Sequence, residues 1–278
     1  MMKSFSNTYI FVFSAVMVII VAALLSFVSL KLKPVQDKNI KVEQMQNILA
    51  SVNINSTEKN AGEKFNQYIV DKYVINDQGE KIPGMDVFSV DMKVEVSKIN
   101  EKKRLQSMTV EHAVSPFKKF LSQFIHFKKV NTTSINSQIV KLKSTRELPV
   151  YVCKKDGKNY YVFPVRGKGL WGPIWGYIAL EDDFNTIYGA NFDHKTETPG
   201  LGAEIKEKWF QDNFKGKKLF DNGKFVSIQV VKGGAPAGDL HGVNAISGAT
   251  ITSKGVQAMI QDCLSGYLIF FENQKKKM

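Results

Sequence analysis

The residues best suited to chemistry lie late in the chain, in His241-Gly-Val-Asn-Ala-Ile-Ser-Gly-Ala-Thr-Ile-Thr-Ser253. This small-residue loop runs into a segment with apolar side chains at Val256, Met259, Ile260, Cys263, Leu264, Tyr267 and Leu268. Spacings of three and four mark one face of an amphipathic helix. Thr252 or Ser253 supplies a hydroxyl of the kind that caps such a helix. Thr250 then falls just ahead of the helix N-terminus, where free amides and the positive end of the dipole favour a phosphate. Gly248 and Ala249 leave the loop bare enough for a bulky group to reach the backbone. A plain Ser/Thr-rich cap accounts for the same residues.

Two further loops carry unusual residues. Gly167-Lys-Gly-Leu-Trp-Gly-Pro-Ile-Trp-Gly176 sets Leu170 and Trp171 among glycines, which suits a tight turn beside a flat ligand or ordinary hairpin packing. Asp193-His-Lys-Thr-Glu-Thr-Pro-Gly-Leu-Gly202 offers Asp193, His194 and Glu197, three types of metal ligand, in one loop. A rigid turn accounts for it better, since Pro199 fixes φ while Gly200 and Gly202 let the backbone pass close to a ring system. No metal site is expected. Ser-His-Asp arrangements, paired carboxylates, a P-loop and a dinucleotide-binding fingerprint are all missing, so neither hydrolase nor NTPase chemistry nor NADH binding is expected.

The elements that must position these loops follow from pattern. Val150–Cys153 and Tyr160–Val165 flank Lys154-Lys-Asp-Gly157 and read as a hairpin. Tyr177–Leu180 and Ile187–Phe192 continue a sheet. A helix is expected over Ala203–Phe214 and a strand over Phe225–Val231. Earlier in the chain, Lys38–Val52 and Glu63–Val74 read as helices, Asp77-Gln-Gly79 as a turn, and Val87–Val96 as an alternating strand. Residues 97–146 carry Phe117, Phe120, Phe124 and Phe127 at helical spacing and read as a helical insertion.

Thr8–Leu30 is uncharged and overwhelmingly apolar, long enough at ~1.5 Å per residue to cross a ~30 Å hydrocarbon core. The run ends in Lys31-Leu-Lys-Pro34, which reads as a retained anchor in a lipid bilayer rather than a cleaved signal. Lys3 precedes the span, while Lys31, Lys33, Lys38 and Lys41 follow it. Charge bias alone therefore puts the large domain in the cytoplasm. Across the whole chain, 38 basic and 26 acidic side chains give a net charge of +12. No zinc spacing or basic helix with stacking aromatics accompanies it, so no nucleic-acid partner is expected. The two cysteines, Cys153 and Cys263, set no disulfide framework, and whether they are bridged stays open.

Ser247-Gly-Ala-Thr-Ile-Thr252 resembles the flavinylation motif of the FMN-binding domain family, with Asn244 where that pattern has aspartate. The match extends to G-K-G-L-W-G at 167–172, H-K-T-E-T-P-G-L-G at 194–202, Trp209, G-K-K-L-F at 216–220 and V-K-G-G-A-P at 231–236. Within that family the set is most similar to the C subunits of sodium-translocating NADH:quinone reductases. The G subunits of Rnf-type ferredoxin:NAD oxidoreductases share only part of it, and a membrane-anchored protein binding its ligand non-covalently is a reading from another class.

The resemblance implies covalent FMN on Thr250 through a phosphoester. It implies cofactor contacts from Ser247, Gly248, Ala249 and Thr252, from Glu197, Thr198, Pro199, Gly200 and Leu201, and from Leu170 and Trp171. It implies an electron carrier in a membrane assembly of six subunits that couples quinone reduction by NADH to Na⁺ export, with a flavin transferase as maturation partner. The implied location is the bacterial inner membrane, single-pass, with the C-terminal domain periplasmic, opposite to the charge bias. The expected fold class is α+β: one N-terminal transmembrane helix, then an extracytoplasmic mixed α/β FMN-binding domain with a largely antiparallel sheet. Expected boundaries are 1–33 for the anchor (span about 8–30), 34–148 for a membrane-proximal α+β region with an insertion at 97–146, 149–270 for the FMN-binding domain and 271–278 for a basic tail.

Overall fold

The computed structural model describes residues 6–114, 136–141 and 146–276, apart from the side chains of 108–114. The chain divides into two units, Met1–Gln44 and Met45–Met278. The first is most of helix α1, Asn7–Ser51, whose apolar stretch is wholly exposed and long enough to cross a membrane. Helix is continuous through Pro34, although proline leaves the carbonyl four residues earlier without its ladder donor. The anchor and the helix expected over Lys38–Val52 are therefore one element.

The second unit is built on a five-stranded antiparallel meander: β1 (Ile69–Ile75), β2 (Leu148–Lys155), β3 (Lys158–Lys168), β4 (Pro173–Leu180) and β5 (Ile187–His194), in that order. The β2–β3 hairpin turns on Asp156 and Gly157, with φ of +51° and +78°. Two residues at positive φ form the primed turn whose twist matches antiparallel strands. Side chains alternate across the sheet at period two. Val150, Phe163, Val165, Ile178 and Leu180 join one buried cluster, while Tyr151, Cys153, Val162, Tyr177 and Ala179 join another.

Helices close both faces. The first cluster is covered by α4 (Thr250–Leu264) and α5 (Leu268–Lys275), which bury Val256, Met259, Ile260, Cys263, Leu264, Phe270 and Phe271. The second is covered by Ile48 and Leu49 at the end of α1, by Val52 just after it and by Phe65 of α2 (Ala61–Tyr68). The Lys155 ammonium donates to the carbonyls of Val52 and Asn53 at 3.1 and 3.3 Å, so a cation sits where the helix dipole ends negative. Cys153 and Cys263 are free, buried and in different clusters.

Several local readings change. The helix expected over Glu63–Val74 stops at Tyr68, and Ile69–Ile75 is a strand because it pairs with β2. Val87–Val96 is not a strand. Val87–Ser89 is a 3₁₀ turn capped by Asp86, and α3 (Met92–Val114) opens with Asp91 accepting from the Lys93 amide. These aspartates give the backbone a local partner that competes with strand pairing. Phe117, Phe120, Phe124 and Phe127 lie outside the described residues. Ala203–Phe214 is three short turns, Gly202–Lys206, Lys208–Gln211 and Asp212–Phe214, interrupted where Glu207 is extended. The strand expected over Phe225–Val231 breaks at Ser227, whose φ is +59°. On one side β7 (Lys224–Phe225) pairs with β6 (Phe220–Asp221); on the other β8 (Gln229–Val231) runs parallel to β9 (Gly242–Asn244). Residues 271–275 complete α5 rather than starting a tail, because Phe271 is fully buried.

Candidate functional site

The loop before α4 is shaped by Gly248, whose φ of +75° turns the chain so that the Ala249 amide donates back to the Ile246 carbonyl. Helix then begins at Thr250, with Ala249 in the capping position and no side chain capping it. This corrects the expectation that Thr252 or Ser253 caps the helix. Both lie inside it with their hydroxyls engaged elsewhere. Ser253 Oγ accepts from the Ile246 amide at 3.1 Å, and Thr252 Oγ1 donates to Glu197 Oε2 at 2.6 Å. The amides of Thr250, Ile251 and Thr252 precede the helical ladder, so this turn presents donors and the positive dipole end without a capping oxygen. Thr250 is half-buried beside exposed Ser247 and Gly248.

Glu197 ties the other two loops to this turn. It is only 5% exposed. Its Oε1 accepts from the amides of Trp171 at 2.9 Å and Gly172 at 3.3 Å, on the β3–β4 loop. Its own amide donates to His194 Nδ1 at 3.3 Å. A Cβ added at Gly169 or Gly202 would run into the Glu197 carboxylate, so glycine at both positions allows the close packing. A carboxylate out of water needs such donors on both oxygens. Glu197 and Thr252, for which the resemblance implies cofactor contacts, are buried and bonded to each other.

Four large apolar side chains of the site face outward. Leu170 is 45% exposed, Trp171 66%, Leu201 40% and Ile251 60%. Leu201 passes so near Gly248 that a Cβ there would meet its Cδ2 at 2.8 Å. Thr198, Pro199 and Gly200 form the exposed outer turn, where the Thr198 carbonyl accepts from the amides of Leu201 and Ala203. The three loops thus converge, with Ser247–Ala249, Leu201 and Leu170–Trp171 around the start of α4. Ile251 was missed, although an isoleucine out of phase with the Val256–Tyr267 stripe signals an apolar group aimed away from the core.

Asn244 Oδ1 accepts from the Ala235 amide at 2.7 Å and so fastens the Gly233–Pro236 loop. Asp193 accepts from the following His194 amide. Among the described residues, no group of three His, Cys, Asp or Glu side chains is arranged to hold a metal ion.

The class of protein is set by residues 169–265, which match the family model described as FMN-binding domain. That segment contains all three converging loops. The solved structure of the C subunit of Na⁺-translocating NADH-quinone reductase from Parabacteroides distasonis is 37% identical, with a TM-score of 0.63 over 86% of this chain and 96% of that one. The Shewanella oneidensis NqrC structure is 30% identical, with a TM-score of 0.60 over 85% of this chain and 98% of that one. In sequence, the C subunit of the Vibrio anguillarum reductase is 48% identical over 109 residues, which are 39% of this chain and 43% of that protein. The chain belongs to the NqrC family, the C subunits of Na⁺-translocating NADH-quinone reductases. Its sequence match spans less than half the length of the curated relatives.

Proposed function

We propose that this chain is an electron-carrying subunit of a Na⁺-translocating NADH:quinone reductase, with FMN attached through its phosphate to Thr250. The observation that carries the reading is the start of α4: a half-buried threonine at a helix N-terminus with no side-chain cap, inside the segment that matches an FMN-binding domain. The residues present fit the group. First-turn amides and the dipole favour a phosphate, Gly248 leaves the backbone bare, and exposed Leu170, Trp171, Leu201 and Ile251 would offer apolar surface to a flat ring. Bound there, FMN supplies reversible electron uptake and release, while the protein supplies its position and surroundings.

Thr250 is a tether, not a turnover nucleophile. The phosphoester joins the FMN phosphate to Thr250 Oγ1 with net loss of one water. The apolar stretch of α1 anchors the chain in the inner membrane. The domain lies on the periplasmic side, since long domains translocate largely regardless of flanking charge. The other members of an assembly of six subunits oxidise NADH, reduce quinone and move Na⁺, and a flavin transferase loads this one.

The test is the intact mass and denaturing-gel fluorescence of the chain from its native host. One FMN less one water is expected in the wild type and none in Thr250→Ala. A denatured Thr250→Ala chain that keeps its fluorescence would move the attachment elsewhere. A wild-type chain that loses its flavin on denaturation is a non-covalent binder.

A further inference from the structure

Beneath the exposed walls of the site lies one buried carboxylate with three donors from two separate segments. Trp171 and Gly172 supply their amides from the β3–β4 loop, and Thr252 supplies its hydroxyl from the first turn of α4. Glycine at 169 and 202 lets these groups close on the carboxylate. His194 Nδ1 holds the Glu197 amide from behind. Leu170 and Trp171 on one side, and Thr250 and Ile251 on the other, are each within two residues of a group bonded to Glu197.

We propose that Glu197 is the positioning residue of this site: through its two oxygens it fixes the Leu170–Trp171 wall against the first turn of α4 and so sets where the Thr250 hydroxyl stands. The role rests on the reading of Thr250 as the flavin-bearing residue. It acts through geometry rather than charge, because both oxygens are used as acceptors toward neutral donors. Alanine at this position leaves two part-buried amides and a buried hydroxyl without the acceptor that holds them together. Glutamine keeps one carbonyl oxygen for the Trp171 and Gly172 amides and turns its NH₂ toward Thr252 Oγ1, which then accepts instead of donating.

The experiment compares wild type, Glu197→Ala, Glu197→Gln and Thr252→Val, each produced as the full chain with the flavin transferase. Two quantities are measured: covalent flavin per folded chain, and hydrogen exchange at the Trp171 and Gly172 amides in Thr250→Ala backgrounds, which carry no flavin. For Glu197→Ala, about tenfold less flavin and about tenfold faster exchange are expected. Glu197→Gln is expected within about twofold of wild type in both.

Where Glu197→Ala does not fold, Thr252→Val decides, since it removes one arm of the clamp and keeps the side-chain shape. A folded Glu197→Ala or Thr252→Val chain with wild-type flavin content overturns the proposal. So does a Glu197→Gln chain as deficient as Glu197→Ala, because the role would then belong to the charge. Wild type without flavin strikes the Thr250 reading instead, and the exchange comparison still decides the clamp.

Discussion

The Tyr267 hydroxyl donates to the Pro149 carbonyl at 2.9 Å, in full burial and across 118 residues of sequence. It joins the turn after α4 to the start of β2, and its ring lies edge-on to Phe163 at 4.8 Å. Tyr267→Phe keeps the ring and removes the bond. A loss of about 1–2 kcal/mol of unfolding free energy is expected, measured by urea titration, with flavin content unchanged because Thr250 lies at the far end of α4.

Gly248→Ala attacks the site from its own loop. The added Cβ faces both a positive φ and the Leu201 side chain. A destabilisation of about 1–2 kcal/mol is expected, the larger part of it from the backbone conformation. Because Leu201 must move, flavin content should fall along with stability, which separates this variant from Tyr267→Phe.

Asn244→Asp tests the motif departure. The asparagine oxygen already accepts from the Ala235 amide, and a carboxylate oxygen can do the same. Stability is expected to change by less than about 0.5 kcal/mol, with wild-type flavin content. A rise in flavin content would show that the maturation partner reads the charge rather than the loop's shape.

Burial pushes the thiols of both Cys153 and Cys263 up to about 11 from an ordinary 9.0. Both should resist alkylation at pH 8 in the folded chain and react on unfolding. The folded chain keeps these protons where the unfolded chain releases them. Stability from this source is therefore intact below about pH 9 and is lost as pH rises toward 11. Buried Tyr151 and Tyr267, raised well above the usual phenol range by desolvation, extend the decline to more alkaline pH. Denaturant midpoints taken across the alkaline range check the slope.

Legibility in the sequence followed the range of the interactions. The β2–β3 hairpin could be read because Asp156 and Gly157 set its turn and the flanking side chains alternate. The buried stripe of α4 could be read because a helix carries its own period. β1 could not: its state is decided by pairing with β2, more than seventy residues away. The α4 cap was misjudged for the same reason, since the hydroxyl of Thr252 is claimed by Glu197, 55 residues earlier. At the site, the residue types were legible, but the division between inward and outward groups was not. Glu197 and Thr252 sit behind the face that Leu170, Trp171, Leu201 and Ile251 present.

The underside of the sheet rests on Ile48, Leu49 and Val52, so the last turns of α1 belong to the folded body and not to the apolar stem. Anyone shortening the chain for work without detergent therefore has a narrow choice of starting point. Beginning between Lys33 and Gln44 removes the greasy segment and spares the lining. Beginning at Asn53 strips that lining away, and such a fragment should clump or melt well below its longer sibling.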